Sequence, residues 1–543
     1  MNGLTMDFQL TVPAIQRRAE EFFGPKEIIS RLPDRSFHRY TYADFIRRAK
    51  QLTLALRELG VQPGERVATL AWNHHQHLEA YFGVPASGAV LHTLNLRLHP
   101  NDLTYIVNHA EDQVILVDKT LLPLFERFQA QVAPRHVIVI SEDGDVPEGT
   151  LDYEKLLAAM DPSAFRYPDF DEKRAASMCY TSGTTGRPKG VLYSHRALVL
   201  HSLSSTMVDT LAIRESDVIL PVVPMFHVNA WGLPFTATMA GASQVLPGPY
   251  LDPPSLLEDL ETQKVTFTAG VPTIWMGILA ALDKEPNRYD LSRVRAMVVG
   301  GSAAPMSMIR GYQERHGLNI LHAWGMTETT PLGTVSNLPS DLLDAPADVQ
   351  YDSRAKQGRA SPLVEIRAQG DNGLVPWDGK TMGELEVRGA WVASAYYNSP
   401  GSEDRFSADG WFRTGDIVTI DRRGYIKIQD RTKDLIKSGG EWISSVELEN
   451  ALMGHPAVAE AAVIAVADPR WSERPLAVVV LKPGQTASSE ELLAFLAPNF
   501  AKWWLPDTIE FVEQIPKTAV GKFLKSALRE RFKDYQPPSP PRS

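Results

Sequence analysis

The run Tyr180-Thr181-Ser182-Gly183-Thr184-Thr185-Gly186-Arg187-Pro188-Lys189-Gly190 follows the apolar pair Met178-Cys179 and leads into Val191-Leu192-Tyr193-Ser194-His195. Its glycines let backbone N–H groups turn toward phosphate oxygens, its hydroxyls donate further hydrogen bonds, and Lys189 supplies charge. This is the chemistry of a triphosphate cradle. No glycine is followed by four residues and then Gly-Lys-Ser/Thr, so the P-loop kinase and GTPase reading fails. On composition alone, a solvated Gly/Thr turn stands beside phosphate binding. A second glycine pair, Gly300-Gly301, follows the apolar run Met297 to Val299, where missing side chains permit a ligand's close approach.

The string Tyr180 to Gly190 resembles the phosphate-loop signature of the adenylate-forming superfamily: acyl-CoA synthetases, nonribosomal adenylation domains and beetle luciferases. Four more motifs follow in the same order: Trp324-Gly325-Met326-Thr327-Glu328, Gly410-Trp411-Phe412-Arg413-Thr414-Gly415-Asp416, Asp430-Arg431-Thr432-Lys433-Asp434 and Pro516-Lys517-Thr518-Ala519-Val520-Gly521-Lys522. The resemblance extends over nearly the whole chain. It implies ATP and CoA as co-substrates with Mg2+, and adenylation of a carboxylate before thioester formation. Charge spreads over the transferring phosphorus centre, and a positioned cation must meet it; by resemblance that cation is Lys522. Glu328 and Thr185 would hold Mg2+, an acidic oxygen suiting a hard cation. Thr327 would touch the α-phosphate and Trp324 would stack on adenine. Asp416 would accept both ribose hydroxyls while Arg431 donates to them. Thr181, Ser182, Gly183, Thr184, Thr185, Gly186 and Lys189 form the implied phosphate loop. Ser302, Ala303, Ala304 and Pro305, with His322, Ala323, Gly325 and Ile428, complete the implied nucleotide site.

For the second half-reaction the family rotates its C-terminal domain at a hinge, here Lys433, and presents a glycine-rich face to CoA, here Lys437, Ser438, Gly439, Gly440, Glu441 and Trp442. As a bare pattern, Gly439-Gly440 also reads as a plain turn. Nonribosomal domains that take amino acids usually carry an Asp after the Phe of the segment matching Pro224-Met225-Phe226-His227. This chain has His227, which disfavours an amino acid. The implied acyl walls, His227, Trp231, Gly232, Val299, Gly300, Gly301, Gly325, Pro331 and Leu332, include no acidic, lysine or arginine side chain, so the variable part of the acid is expected to be neutral and apolar. His227-Val228-Asn229-Ala230-Trp231-Gly232 and Trp503-Trp504-Leu505-Pro506-Asp507 resemble a branch of medium-chain fatty-acyl and 3-methylmercaptopropionate CoA ligases. A thioether mimics a methylene, so both acids fit one slot. Methylmercaptopropionate and short- to medium-chain acids are the expected substrates. A luciferase-like oxygenase, or a silent ligand-binding homologue, would share these motifs. Retention of Lys522, Glu328 and Asp416 together argues against the silent form.

The elements needed to hold these residues are legible as patterns. Tyr42 to Leu59 carries apolar residues at helical spacing and Arg66 to Ala71 reads as a strand. Val114 to Val117, Val137 to Ile140, Val218 to Leu220, Val265 to Thr268 and Ala296 to Val299 read as buried parallel strands. Alternation of this kind predicts an α/β fold with helix-covered sheets. From about 358 to 429, closely spaced strands such as Val364 to Arg367, Gly383 to Arg388 and Tyr425 to Ile428, separated by turn clusters, predict a small β-barrel-like part. Ser444-Ser445-Val446-Glu447 predicts a capping box, and Ala461 to Val466 and Leu476 to Leu481 predict strands. The pattern places a domain boundary near Asp430 and a disordered Pro-rich tail over 536–543; joined to what the resemblance implies, the expected organisation is an N-terminal adenylation domain over 1–429 built on two helix-flanked sheets, a hinge at 430–433 and a smaller mobile α+β domain over 434–535.

At 543 residues the chain exceeds one hydrophobic core. Lys and Arg number 55 against 65 Asp and Glu, a formal net charge of -10, the wrong sign for a partner made of nucleic acid. The single Cys179 excludes an intramolecular disulfide and a Cys-based zinc site. The N-terminus lacks a basic stretch leading into an apolar core, so no secretory signal is expected and the cytoplasm is the default. Val218 to Leu251 has no Asp, Glu, Lys or Arg, but its prolines break a spanning helix, and buried strands and loops are expected there. Related enzymes are often dimers, which makes a homodimer an expectation by analogy.

Overall fold

The computed structural model describes residues 1, 3–181, 187–438, 441–517, 522–533 and 535, with only the backbone of Glu441. The expected tail 536–543 lies outside the described residues. The large N-terminal part contains two sheets. One has seven strands in the order Leu151–Asp152, His136–Ile140, Asp112–Asp118, Arg66–Leu70, Val90–Thr93, Ala175–Tyr180, Gly190–Ser194, parallel except for the last pair. The other has nine, in the order Arg359–Ala360, Leu332–Val335, Ile320–Gly325, Ala296–Val299, Phe267–Gly270, Val218–Pro221, Ser243–Leu246, Glu27–Arg31, Phe37–Thr41. Its centre is parallel and both its edges are antiparallel.

Helices cover these sheets where apolar periodicity demands it. Tyr42–Glu58 starts at a Thr41/Asp44 capping box and buries Phe45, Ile46, Leu52 and Leu56. His75–Ser87 is buried on every side, which fits its small amphipathic contrast. The antiparallel part holds five strands in the order Gly373–Leu374, Val364–Gly370, Gly383–Gly389, Phe412–Ile420, Ile426–Arg431, around Leu385, Val387, Val418 and Ile426. The C-terminal sheet orders Glu441–Ile443, Ile436–Ser438, Ser472–Leu481 and Val458–Asp468, with Thr508–Phe511 also pairing Ser472–Leu481.

Three local expectations are corrected. The strand expected at Val265 starts at Phe267, because Val265 N–H closes the preceding helix onto Leu260 O, while Thr266 Oγ1 donates to Asp217. The uncharged run 218–251 contains the helix Leu233–Ala240 as well as strands and loops, with Pro234 tolerated in its first turn. At Ser444 the N-cap is made, its hydroxyl accepting from Glu447 N–H, but the Glu447 carboxylate turns to Lys427 and pairs with it at 2.5 Å.

That ion pair is one of several ties between the end of the antiparallel part and the helix Ser445–Met453. Ser444 Oγ donates to Gln429 O, and Asp430 Oδ2 accepts from Ser445 N–H at 2.7 Å and Ser445 Oγ at 2.5 Å. Lys525 pairs with Glu449 at 2.6 Å and Arg529 with Asp434 at 2.6 Å. The segment that carries Lys522 is thereby pinned over the N-terminal part.

Candidate active site

A cavity of about 600 Å³ opens at the carboxyl ends of the parallel strands Phe267–Gly270 and Ala296–Val299, the usual ligand position for such sheets. The seat of the phosphate loop is a hairpin. Ala175–Tyr180 and Gly190–Ser194 pair antiparallel, and the neck is closed by Thr181 N–H donating to Lys189 O at 2.9 Å and Lys189 N–H donating to Thr181 Oγ1 at 3.1 Å. Ser182, Gly183, Thr184, Thr185 and Gly186 lie outside the described residues. Lys189 Nζ stands 4.8 Å from the centre of the Tyr396 ring, and Tyr396 OH donates to Glu328 Oε1 at 2.5 Å. Glu328 is buried, and the adjacent Thr327 O accepts from Tyr193 OH at 2.8 Å.

Asp416 and Arg431 are cross-strand partners in the antiparallel part. Arg431 Nε lies 2.7 Å from Asp416 Oδ1, and Trp324 Nε1 donates to Asp416 Oδ2 at 2.9 Å. Sequence positions 324, 416 and 431 thus meet at one carboxylate. The Trp324 ring also packs into the core of the antiparallel part. Lys522 reaches the same cavity from the C-terminal part. Its Cε lies 3.6 Å from where a Cβ on Gly301 would stand. Burial pushes its amine down to about 8, helped by Arg431 and opposed by Asp416 and Glu328.

The other end of the cavity is apolar. Leu211, Leu233, Ala269, Val298 and Leu332 belong to one hydrophobic cluster against which Trp231 packs. Trp231 comes within 3.0 Å of the place a Gly300 Cβ would occupy, so glycine at 300 makes room for the indole. Trp231 is presented by an unusual backbone: Val228, Asn229, Ala230 and Trp231 have φ of 46, 54, 49 and 56°, followed by Gly232 at 73°. Buried Asn229 anchors this left-handed turn, its Oδ1 accepting from Ser177 Oγ at 3.1 Å. His227 also lines the cavity. Burial and the charges of Lys522 and Arg97 push its imidazole down to about 3, so it is neutral at physiological pH.

Thr181, Lys189, Ser302, Ala303, His322, Ala323, Trp324, Gly325, Thr327, Glu328, Asp416, Ile428, Arg431, Lys433 and Lys522 line this cavity, as do His227, Trp231, Gly300, Gly301, Pro331 and Leu332. Val299 does not. Strand alternation turns Val298 to the cavity and Val299 to the opposite core, with Trp275 and Met308. Ala304 shares that core and Pro305 caps the helix Met306–His316, so both stand behind the lining. Gly232 packs against His201 behind the wall. Lys437, Ser438 and Trp442 lie outside the cavity lining, with Trp442 exposed. Gly439 and Gly440 fall outside the described residues. Sequence reasoning missed Tyr396, Leu211, Leu233, Ala269, Gln357 and Arg405, all of which line the cavity. Only the absence of charge around Leu233 hinted at any of them.

The AMP-binding enzyme family model matches residues 15–397, and that of the AMP-binding enzyme C-terminal domain matches residues 447–522. The chain belongs to the AMP-binding enzyme family, within the adenylate-forming superfamily. It is 51% identical over 534 residues to a long-chain-fatty-acid–CoA ligase of Thermus thermophilus, covering 98% of this chain and 97% of that protein. It is 45% identical over 541 residues to a 3-methylmercaptopropionyl-CoA ligase of Ruegeria pomeroyi, covering 98% and 99%. An anthranilate CoA ligase solved in complex with anthranoyl-AMP superposes with a TM-score of 0.87 at 27% identity, over 98% of this chain and 99% of that one.

Proposed function

We propose that this protein is an ATP-dependent acyl-CoA ligase for apolar carboxylic acids, with methylmercaptopropionate and short- to medium-chain fatty acids as the preferred class. The observation that carries this reading is the cavity itself. Lys522, Glu328 and the Asp416–Arg431 pair surround one end, and a chargeless wall closes the other. A nucleotide at the polar end would give its ribose hydroxyls to Asp416 and its phosphates to the hairpin loop. The acid would lie with its tail against Trp231 and its carboxylate toward Lys522.

The carboxylate oxygen attacks the α-phosphorus, the bond to the β-phosphate oxygen breaks, and pyrophosphate leaves. Lys522 is placed to balance the charge that builds between the carboxylate and the phosphate. In the second step the CoA thiol attacks the acyl carbon, the acyl–phosphate bond breaks, AMP leaves, and the thiol proton passes to solvent. Neutral His227 can stand beside the acyl group without adding charge.

The described residues fit Mg2+, which commonly takes one or two carboxylates together with phosphates and water; Glu328 is such a carboxylate, and Thr185 is the second proposed ligand. Bound there, the ion would neutralise phosphate charge. For the thioester step, Lys433 is the proposed pivot, and Lys437, Ser438, Gly439, Gly440, Glu441 and Trp442 the proposed CoA face. The proposed domains are 1–429, a hinge at 430–433 and a mobile part over 434–535. Buried Cys179, its thiol pushed up to about 11 by burial, fits a reducing compartment, and the cytoplasm is the proposed location. By analogy we assign a homodimer.

The test is CoA-thioester formation with ATP and Mg2+, comparing kcat/KM for methylmercaptopropionate, butyrate, hexanoate, octanoate and a long-chain acid. A maximum among the short to medium acids is expected. A clear lead for the long-chain acid would overturn the proposed class, and no thioester with any acid would overturn ligation.

A further inference from the structure

His201 projects from the helix His195–Thr206 into the layer directly behind the apolar end of the cavity and is almost fully buried. Its Nε2 accepts from Leu332 N–H at 3.3 Å. On its other side the ring abuts Gly232: a Cβ there would meet His201 Cε1 at 2.6 Å and Nδ1 at 2.7 Å. Gly232 has φ of +73°, so close packing and backbone both exclude a side chain. The imidazole also stands edge-on to buried Trp391, with ring centres 6.0 Å apart at 84°. Trp391 in turn holds the same loop. Its Nε1 donates to Leu332 O at 2.9 Å, and its carbonyl accepts from Thr330 Oγ1 at 2.5 Å. Leu332 is thereby gripped at both backbone polar groups, by two side chains far away in sequence. Burial pushes the His201 imidazole down to about 3, so Nε2 keeps its lone pair for Leu332 across the working pH range.

We infer that His201 and Trp391 form a clamp that fixes two walls of the acyl slot, Gly232 with its neighbour Trp231 on one side and Leu332 on the other, and so set which chain lengths the enzyme accepts. This rests on the reading of the cavity as an acyl slot. Both are positioning residues, since neither lines the cavity. A slot built from small contacts discriminates one methylene by roughly 10–200-fold. Loosening either wall costs part of that discrimination.

The experiment compares wild type with His201→Ala, His201→Gln and Trp391→Phe, each checked for a native thermal transition. It measures kcat/KM for butyrate, hexanoate and octanoate, and KM for ATP. In His201→Ala the octanoate-to-butyrate ratio should rise by about tenfold or more, with ATP KM unchanged. His201→Gln, whose amide oxygen can accept the Leu332 N–H, should restore much of the wild-type ratio. Trp391→Phe keeps an aromatic ring and loses the bond to Leu332 O, and should move the ratio in the same direction as alanine. If His201→Ala does not fold, Trp391→Phe decides. An unchanged ratio in folded variants, or an equal fall for every acid and for ATP, overturns the clamp. A wild type that forms no thioester with any acid overturns the ligase reading instead.

Discussion

Lys522 is a partly buried cation lining the cavity, its Cε beside Gly301 and its amine within the field of Arg431, Asp416 and Glu328. Its proposed role depends on charge at one place; Lys525, which also lines the cavity, is bound to Glu449 and Ser445. Lys522→Ala should lower the rate of acyl-adenylate formation by at least about a hundredfold, the scale on which lost transition-state donors act. ATP should still bind, because the Asp416–Arg431 pair and Trp324 remain. Acid-dependent pyrophosphate exchange and equilibrium ATP binding, measured on one preparation, separate the two; normal exchange by the variant would sink the role. At this scale the sequence was most informative. The motifs that carry the family resemblance singled out Thr181, Trp324, Glu328, Asp416, Arg431 and Lys522, and the cavity gathers all of them. Where the chemistry was merely apolar the reading slipped by one position, to Val299 in place of Val298. Composition says that a strand is buried and not which of its faces a ligand meets. His201 and Tyr396 were invisible for another reason: their partners Leu332 and Glu328 stand 131 and 68 residues away.

The elements around residue 430 act as a seam. The strand Ile426–Arg431 ends where Asp430 caps Ser445, Gln429 O receives Ser444, and Lys427 holds Glu447. Any rotation about Lys433 must break these contacts, while Lys525–Glu449 and Arg529–Asp434 travel together with the C-terminal part. Lys433→Pro restricts the backbone there. It should spare adenylation, which the proposed function assigns to the arrangement with Lys522 in the cavity, and selectively slow thioester formation. Burst kinetics with and without CoA read the two steps; equal loss of both would contradict the hinge. Periodicity revealed most strands and the helix Tyr42–Glu58. It did not reveal the helix Leu233–Ala240, because an apolar stretch buried all round carries no amphipathic period.

For the molecule as a whole, buried charge shapes the pH response of stability. Arg31, on the strand next to the Phe37–Thr41 edge of the nine-stranded sheet, reaches Asp259 on the helix Pro253–Thr262 at 3.1 Å, and both are buried. Burial pushes the Asp259 carboxyl up to about 7, despite Arg31. An unfolded Asp titrates near 4, so the native state holds the extra proton between about 4 and about 7, and stability falls as pH rises across that window. Asp259→Asn removes the proton exchange. The wild-type Tm should decline relative to the variant from about pH 5 to 7 and run parallel above that; a constant offset over the range would refute the linkage.

The left-handed turn at Val228–Trp231 has a consequence beyond catalysis. Each non-glycine residue held in that backbone costs roughly 1–2 kcal/mol, and Ala230 is one that glycine could replace without leaving a large void. Selection for heat resistance alone would favour such a glycine. The same change would unlock the backbone that aims Trp231, so a lineage bred in the laboratory for ruggedness should lose its discrimination between acids early, at a position that touches neither nucleotide nor thiol.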